Sequence, residues 1–172
     1  SSSPRRWRST SCLHEASNCM SVKEKISSLG LSLPTAAAPV AAYVPAVKSG
    51  NLVFTAGQLP VVDGKLVKEG KVGRDVTAEE AKELAQRCAL NALAAISLVA
   101  DLDQIERVVR VGGFVNCAPG FTAIPGVING ASEFLIKIFG DVNGKHARTA
   151  VGVAELPLNA PVEVEVIVQL KN

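Results

Sequence analysis

The sequence predicts an α+β fold in which two helices cover one side of a single β-sheet. Three observations predict it. Residues 78–100 repeat small apolar side chains at three- and four-residue steps, which indicates a long amphipathic helix. Residues 105–116 and 162–170 are rich in valine and isoleucine, which favours strands. No glycine-rich loop joins a strand to a helix, which argues against a doubly wound nucleotide-binding fold.

A capping box marks the start of the long helix. The Thr77 side chain can accept a hydrogen bond from an early amide of the helix, and Glu80 can reach back to the Thr77 amide. The elements predicted before this helix are a short helix at 21–29, an extended Ala/Pro-rich segment at 36–46, a buried strand at 52–56, a hairpin turn at 62–65 and a strand at 65–73. Those predicted after it are a strand at 105–116, a loop at 117–125, a helix at 127–138 that Gly140 ends, and strands at 149–154 and 162–170.

The composition divides the chain into a leader and one domain. Residues 1–19 are rich in Ser and Arg and poor in acidic residues, whereas residues 20–172 carry the apolar periodicity. The leader is similar in composition to an organelle transit peptide. The alternatives are a disordered tail or sequence upstream of the true start, since Met20 is the only methionine. We therefore expect a cytoplasmic protein, or a plastid or mitochondrial one if the leader is a transit peptide.

Charge and hydropathy argue against several classes of protein. Three of the 18 basic and one of the 16 acidic residues lie in the leader, so the domain has no net charge and nucleic acid is not the expected partner. The mean hydropathy is +0.26. Prolines interrupt the uncharged stretches at 30–47 and 111–132, so we expect no membrane span, and instead apolar surface between subunits. The four cysteines lack metal-site spacing, and only His14 and His146 could add imidazole ligands, so no metal site is predicted.

Charged side chains on two predicted strands could carry chemistry. Glu163 and Glu165 share one face of the last strand while valines occupy the other, so they lie either on a solvated face or in a site. Arg148 is followed on its own side of its strand by Ala150 and Gly152. These small residues leave room for a planar acid to bind the guanidinium with two parallel hydrogen bonds. The alternative is an exposed arginine on an edge strand.

Four further residues have an ordinary structural interpretation beside a functional one. His146 could titrate near neutrality, but its loop position predicts a surface histidine. Tyr43 is either packed or a hydroxyl donor. Gly57 begins a Gly-Gln-Leu-Pro segment that can end a strand without any function. Asn129 lies near the predicted start of the second helix, as an N-cap would.

Several segments of the sequence form an ordered set. They are Tyr43-Val44, Thr55-Ala56-Gly57-Gln58-Leu59-Pro60, Cys88-Ala89-Leu90-Asn91-Ala92-Leu93, Phe114-Val115-Asn116, Ala147-Arg148-Thr149-Ala150-Val151, and Leu156-Pro157 before Val162-Glu163-Val164-Glu165. Together they resemble the reactive-intermediate deaminase (RidA/YjgF-like) family. The resemblance covers residues 35–170, and its last part is the most specific.

The resemblance implies a chorismate-mutase-like fold of the bacillus type and a homotrimer with clefts between the subunits. It also implies hydrolysis of reactive enamine or imine intermediates, such as 2-aminoacrylate released by pyridoxal-phosphate enzymes, to a 2-keto acid and ammonia without a cofactor. By the same resemblance, Arg148 binds the carboxylate of a small carboxylic or imino acid, and Glu163 helps to place or activate water. Tyr43 and Asn129 line the cleft, and Gly57 offers backbone contacts.

The sequence departs from the pattern of that family at two positions. Ala150 stands where the deaminases often have cysteine, and Ala56 stands where they often have a hydroxyl residue. These departures favour an alternative function, a trimer that binds small metabolites without turning them over. A third function is that of the proteins labelled endoribonuclease L-PSP or translation initiation inhibitor in this family. The neutral domain and the lack of a histidine pair argue against it.

Overall fold

Seven strands and three helices lie in the part of the chain that the computed structural model describes, residues 19–39 and 41–172. Apart from Cys19, the predicted leader lies outside these residues. The helices are α1 (Val22–Ser28), α2 (Ala78–Ile96) and α3 (Ile124–Asn143), and the strands are β1 (Ala46–Ser49), β2 (Leu52–Thr55), β3 (Val61–Val62), β4 (Lys65–Leu66), β5 (Ile105–Asn116), β6 (Ala147–Val153) and β7 (Val162–Leu170).

Five of these strands form one mixed sheet in the order β1-β2-β7-β5-β6, and β3 pairs with β4 in a separate hairpin. Strands β5 and β6 run parallel, and the other neighbours in the sheet are antiparallel. Helix α2 packs on β7, and α3 packs on α2, β5 and β6. The predicted α+β fold, one main sheet with two covering helices, is therefore confirmed.

Helix α2 begins as its sequence predicts and ends earlier. The Thr77 hydroxyl oxygen accepts the Glu80 amide at 3.1 Å, and a Glu80 carboxylate oxygen accepts the Thr77 amide at 2.8 Å. The helix ends four residues before the predicted end, where the Ser97 hydroxyl donates to the Ala94 carbonyl at 2.6 Å. Val99 lies beyond this end and is exposed. Its predicted place on the apolar face is therefore wrong.

The strand predicted at 65–73 is wrong beyond its first two residues. Gly70 has a φ of +122° and Gly73 a φ of +93°, values outside the range that a strand of L-residues uses, so the chain leaves the sheet direction there. The hairpin turn before it is confirmed, with left-handed φ values at Asp63 and Gly64. The fifth strand of the main sheet is instead β1, at the end of the predicted extended segment.

The two faces of the main sheet differ in burial. The four valines of β7 are fully buried beneath the helices, which confirms their predicted common face. The opposite side, here named the open face, is formed by Val47, Phe54, Ile167, Phe114, Val151, Glu163 and Glu165. In β2, Val53 points to the helices and is buried, while Phe54 points to the open face and is exposed. The prediction of a wholly buried strand is wrong for the single chain because one face of the sheet has no cover.

Helix α3 is longer than predicted at both ends. It begins three residues earlier, and Pro125 occupies its first turn. Gly140, with a φ of +86°, interrupts it as expected, and a last turn follows. Asn129 therefore lies in the second turn, so the interpretation as an N-cap is wrong. Its side chain is free to make contacts outside the helix.

Two glycines let α3 lie close to its neighbours. A Cβ atom at Gly130 would overlap the backbone carbonyl oxygen of Lys82 on α2, and a Cβ atom at Gly113 on β5 would overlap the side chain of Ile128. Lys82 and Glu133 also form a salt bridge between the two helices at 3.1 Å. These contacts hold α3 over the β5–β6 edge of the sheet.

We expect Gly130→Ala to lower the free energy of unfolding by about 1–3 kcal/mol, because only a shift of the α2 backbone can make room for the methyl group. Gly126→Ala on the same helix is the control, because a Cβ atom there meets nothing within 4 Å. The control should be neutral or stabilise by up to about 1 kcal/mol. Urea unfolding of both variants at one protein concentration measures the difference, and equal stabilities would contradict the close packing of α3.

Candidate functional site

Arg148 lies on β6 and points to the side of the sheet that α3 covers. Across β5 it is in register with Val166, which is fully buried beneath the helices. Its Nη1 donates to Asn129 Oδ1 at 2.8 Å and to Ser132 Oγ at 3.2 Å, and its Nη2 lies 3.5 Å from the Pro125 carbonyl oxygen. Helix α3 therefore supplies every one of these acceptors.

The charge of Arg148 has no counter-charge among residues 19–39 and 41–172. Its acceptors are an amide, a hydroxyl and a carbonyl oxygen, and the salt bridges in that part of the chain do not include it. Nε has no acceptor there either, and Nε shares one edge of the guanidinium with Nη2. This edge is one that binds a carboxylate through two parallel hydrogen bonds. The geometry therefore suits a small carboxylate ligand.

The side of β6 beyond Arg148 is less open than its small residues suggest. A Cβ atom at Gly152 would contact Cys117 Sγ and Ile124 Cδ1, which occupy the space there. Ala150 packs half-buried against the apolar core. The space predicted along this side of β6 is therefore filled at Gly152. What remains of it is limited to the region near the guanidinium.

Glu163 lies on the open face of β7, with its carboxylate against the backbone of Gly57. A methyl group on Gly57 would overlap that carboxylate, so the contact depends on glycine. Burial raises the pKa of Glu163, and the nearby Glu165 carboxylate raises it further. A carboxyl group with a raised pKa keeps its proton to higher pH, which suits general acid–base chemistry.

A local interruption of the β2–β7 pairing exposes the backbone of Gly57. Thr55 Oγ1 accepts the Val166 amide at 3.0 Å, and the backbone pairing resumes where the Gln58 amide donates to the Val164 carbonyl at 2.8 Å. Gly57 lies between these points, and its backbone makes no backbone hydrogen bond within the described residues. The Ala56 amide donates to the carbonyl of Pro45, just before β1, at 2.8 Å, and the Ala56 side chain offers no hydroxyl.

Tyr43 lies just before β1, and in the single chain its side chain is neither buried nor hydrogen-bonded within the described residues. It is 49% exposed, and its hydroxyl makes no hydrogen bond within the described residues. Neither of its predicted roles, packed ring or hydroxyl donor, is filled inside one protomer. A place in a cleft between subunits stays a prediction.

The predicted site residues thus form two groups in the protomer. Arg148 and Asn129 form one group, on the helix side of β6, and Glu163 and Gly57 form the other, on the open face of β7. Strand β5 separates β6 from β7, and the alternation of side chains puts the groups on opposite faces of the sheet. One protomer therefore does not assemble the complete site.

The structure brings together Ser132, which the sequence did not single out, and His146, which it singled out as a group that could titrate. His146 lies in the loop before β6, as predicted, but it is half-buried and not freely exposed. Its Nε2 lies 2.9 Å from Ser132 Oγ, and its Nδ1 lies 2.7 Å from the Gly144 carbonyl oxygen. Burial lowers the pKa of His146 and the Arg148 cation lowers it further, partly opposed by the hydrogen bond to Gly144. A hydroxyl group and an imidazole are therefore linked by hydrogen bonds to the candidate carboxylate-binding arginine.

Other features of the described residues do not offer a competing site. A groove of about 410 Å³ on the outer side of α2 is lined by Leu31, Glu83, Gln86, Arg87 and Leu90, none of them a predicted site residue. Within residues 19–39 and 41–172, no three His, Cys, Asp or Glu side chains are grouped to hold a metal ion. In the same ranges no helix combines the length and the hydropathy that crossing a membrane requires.

The chain is similar to several known proteins over most of its length. It is 42% identical to Protein TCP17 of Trypanosoma cruzi over 152 residues, which are 88% of this chain and 95% of that protein. It is 33% identical to the 2-iminobutanoate/2-iminopropanoate deaminase of Dermatophagoides farinae over 141 residues, 82% of this chain and 95% of the deaminase. The crystal structure of Atu1372 from Agrobacterium tumefaciens, a protein of unknown function, superposes with a TM-score of 0.78 at 42% identity, covering 87% of this chain and 91% of that one.

A family model described as "YjgF/chorismate_mutase-like, putative endoribonuclease" matches residues 23–170, which include every strand of the sheet and all candidate site residues. The match confirms the family that the sequence motifs resemble. The chain belongs to the YjgF/chorismate-mutase-like family.

Proposed function

We propose that the protein hydrolyses small imino or enamino carboxylic acids to 2-keto acids and ammonia. The observation that carries this proposal is Arg148, a half-buried cation held only by neutral acceptors, with no acceptor on Nε and only a long contact from Nη2 within the described residues. The name of the Dermatophagoides farinae relative supports the same reaction class. No cofactor is needed, because hydrolysis of a C=N bond requires only water and proton transfer.

We also propose that the protein is a homotrimer with its sites in the clefts between subunits. The open face exposes Val47, Phe54 and Val151 in the single chain, and a second copy of the chain would bury them. Arg148 and Glu163 lie on opposite faces of the sheet, so a cleft between two copies is the simplest way for both to reach one substrate. Such a cleft would also give the exposed Tyr43 a ligand or a neighbour.

In this cleft Arg148 binds the substrate carboxylate and so fixes the position of the neighbouring C=N carbon. Glu163 from another subunit holds a water molecule against that carbon. The water oxygen bonds to the carbon, the nitrogen takes up protons, and the C–N bond then breaks to release ammonia. Asn129 keeps the guanidinium in place, and the Gly57 backbone borders the cleft.

A second candidate function is binding of a small metabolite without turnover. Two residues favour it: Ala150 and Ala56 supply no thiol or hydroxyl to hold water. Cys117 over Gly152 further narrows the space along β6. Endoribonuclease activity is the third candidate, and the absence of net charge on the domain argues against it.

We place the protein in the cytoplasm, with a plastid or mitochondrion as the alternative if residues 1–19 direct import.

We expect Arg148→Ala to weaken binding of pyruvate and 2-ketobutyrate by about 100-fold or more, because each hydrogen bond to a charged group contributes roughly 1.5–3 kcal/mol. Arg148→Lys is the control: it keeps the charge and loses the two parallel bonds, so it should bind with intermediate affinity. Titration calorimetry measures binding. Ammonia release from imines made in situ by an L-amino-acid oxidase measures turnover, and unchanged affinity in Arg148→Ala would rule out the assignment.

Placing a charge on the open face should prevent assembly. We expect Phe54→Asp to convert the trimer to a monomer, because the carboxylate would be buried without a partner between subunits. Val142→Asp is the control, since Val142 is 79% exposed on the last turn of α3, away from the open face. Light scattering distinguishes the two states. A monomeric wild type, or a trimeric Phe54→Asp variant, would contradict the interface.

A further inference from the structure

Two hydrogen bonds link the candidate carboxylate-binding arginine through a serine to a histidine, and a third runs from the histidine to the backbone. Arg148 Nη1 donates to Ser132 Oγ at 3.2 Å, Ser132 Oγ lies 2.9 Å from His146 Nε2, and His146 Nδ1 lies 2.7 Å from the Gly144 carbonyl oxygen. A carbonyl oxygen can only accept, so Nδ1 carries the ring proton. In the neutral imidazole Nε2 is then the acceptor, and the Ser132 hydroxyl donates to it.

The directions of these hydrogen bonds are those of a hydroxyl group that a neighbouring base activates for proton transfer. Ser132 accepts from a cation and donates to a neutral base, so it can pass its own proton to Nε2 while taking another. Ser132 is 8% exposed and His146 is half-buried, and both lie between α3 and β6 on the side of the sheet that Arg148 faces. Bulk water therefore does not compete fully for these hydrogen bonds.

We propose that Ser132 and His146 form a proton-transfer pair that serves the substrate bound at Arg148. The proposal rests on the hydrolysis proposed above for the same cleft. The pair lies on the same side of the sheet as the position where Ala150 replaces the family's cysteine. It would supply the proton-accepting group that the alanine lacks.

The proton transfers balance over two steps. In the first, the water oxygen bonds to the imine carbon, the C=N π pair moves to nitrogen, and the water proton passes through Ser132 to His146 and from there to nitrogen. In the second, the carbinolamine hydroxyl proton follows the same route, the C–N bond breaks, and C=O forms as ammonia leaves. Each step takes one proton from oxygen and returns one to nitrogen, so the pair ends as it began.

The same geometry couples proton affinity to ligand charge. Burial is the main cause of the lowered pKa of His146 and the Arg148 cation adds to it, so a carboxylate bound at Arg148 should offset the part due to the cation and raise the pKa. The other charged groups near the pair have partners of their own. Lys82 and Glu133 form a salt bridge between α2 and α3, and Asp141 and Lys145 form one before β6. Arg110 of β5 donates to Thr149 on the open face. None of them contributes to the shift of His146. Binding of pyruvate should therefore be accompanied by proton uptake on the acidic side of neutrality.

Calorimetry with pyruvate in two buffers of different ionisation enthalpy measures that uptake without requiring turnover. We expect wild type and the His14→Gln control, which changes the other histidine of the chain, to take up protons, and His146→Gln to take up none. Binding with no uptake by wild type, or equal uptake by His146→Gln, would overturn the pair and leave the carboxylate site intact. Failure of wild type to bind pyruvate would overturn the proposed cleft together with the pair.

Kinetics of ammonia release separate proton transfer from mere support of Arg148. We expect Ser132→Ala and His146→Gln to lower kcat by about 100-fold or more, while pyruvate affinity in His146→Gln, which leaves both acceptors of Arg148 Nη1 in place, changes by less than about 5-fold. The part of the acidic limb of the wild-type pH–kcat profile that belongs to His146 should disappear in His146→Gln and leave only the part set by Glu163, because glutamine can accept a hydrogen bond but not a proton. Parallel losses of affinity and kcat, or an unchanged acidic limb, would reduce the pair to a structural role. His146→Gln alone decides the question if Ser132→Ala does not fold.

Discussion

The alternation of side chains across a β-strand is the constraint on which the candidate site depends. The Arg148 side chain lies on the same side of the sheet as the buried valines of β7, and the Glu163 side chain lies on the opposite side, so the sheet separates the two. A one-residue change of register in β6 would put the guanidinium on the open face and away from α3. In the proposed trimer a neighbouring subunit would bring Glu163 to the arginine, which would give the assembly a chemical role beyond stability.

Helix α3 determines what Arg148 can do. The close contact at Gly130 lets the helix lie against α2 and over the edge of the sheet, and this places Asn129 and Ser132 within hydrogen-bonding distance of the guanidinium. Both acceptors are neutral, so they orient the cation and leave its charge for a ligand. A carboxylate at either position would have formed an internal ion pair and closed the site.

The sequence predicts most of the fold and part of the site, and the differences have physical causes. Strands 105–116 and 162–170 and the start of α2 were predicted to the residue, because periodicity and capping are local properties. The strand at 65–73 failed because two glycines adopt φ values that a strand excludes. Motif resemblance located Arg148 and Glu163, but not the contact between Ser132 and His146. That contact depends on the path that the chain takes from α3 into β6, and no local sequence pattern predicts this path.

Mixed trimers test most directly whether Arg148 and Glu163 act across subunits. Arg148→Ala and Glu163→Ala chains, each nearly inactive alone, are coexpressed in equal amounts with different affinity tags, and ammonia release is measured for the assembled population. If one subunit supplies the arginine and its neighbour the acid, random closed trimers keep both residues in about a quarter of their clefts and recover about a quarter of wild-type activity. Activity no higher than that of the two parents would show that both residues serve the cleft from the same chain, and would contradict the account.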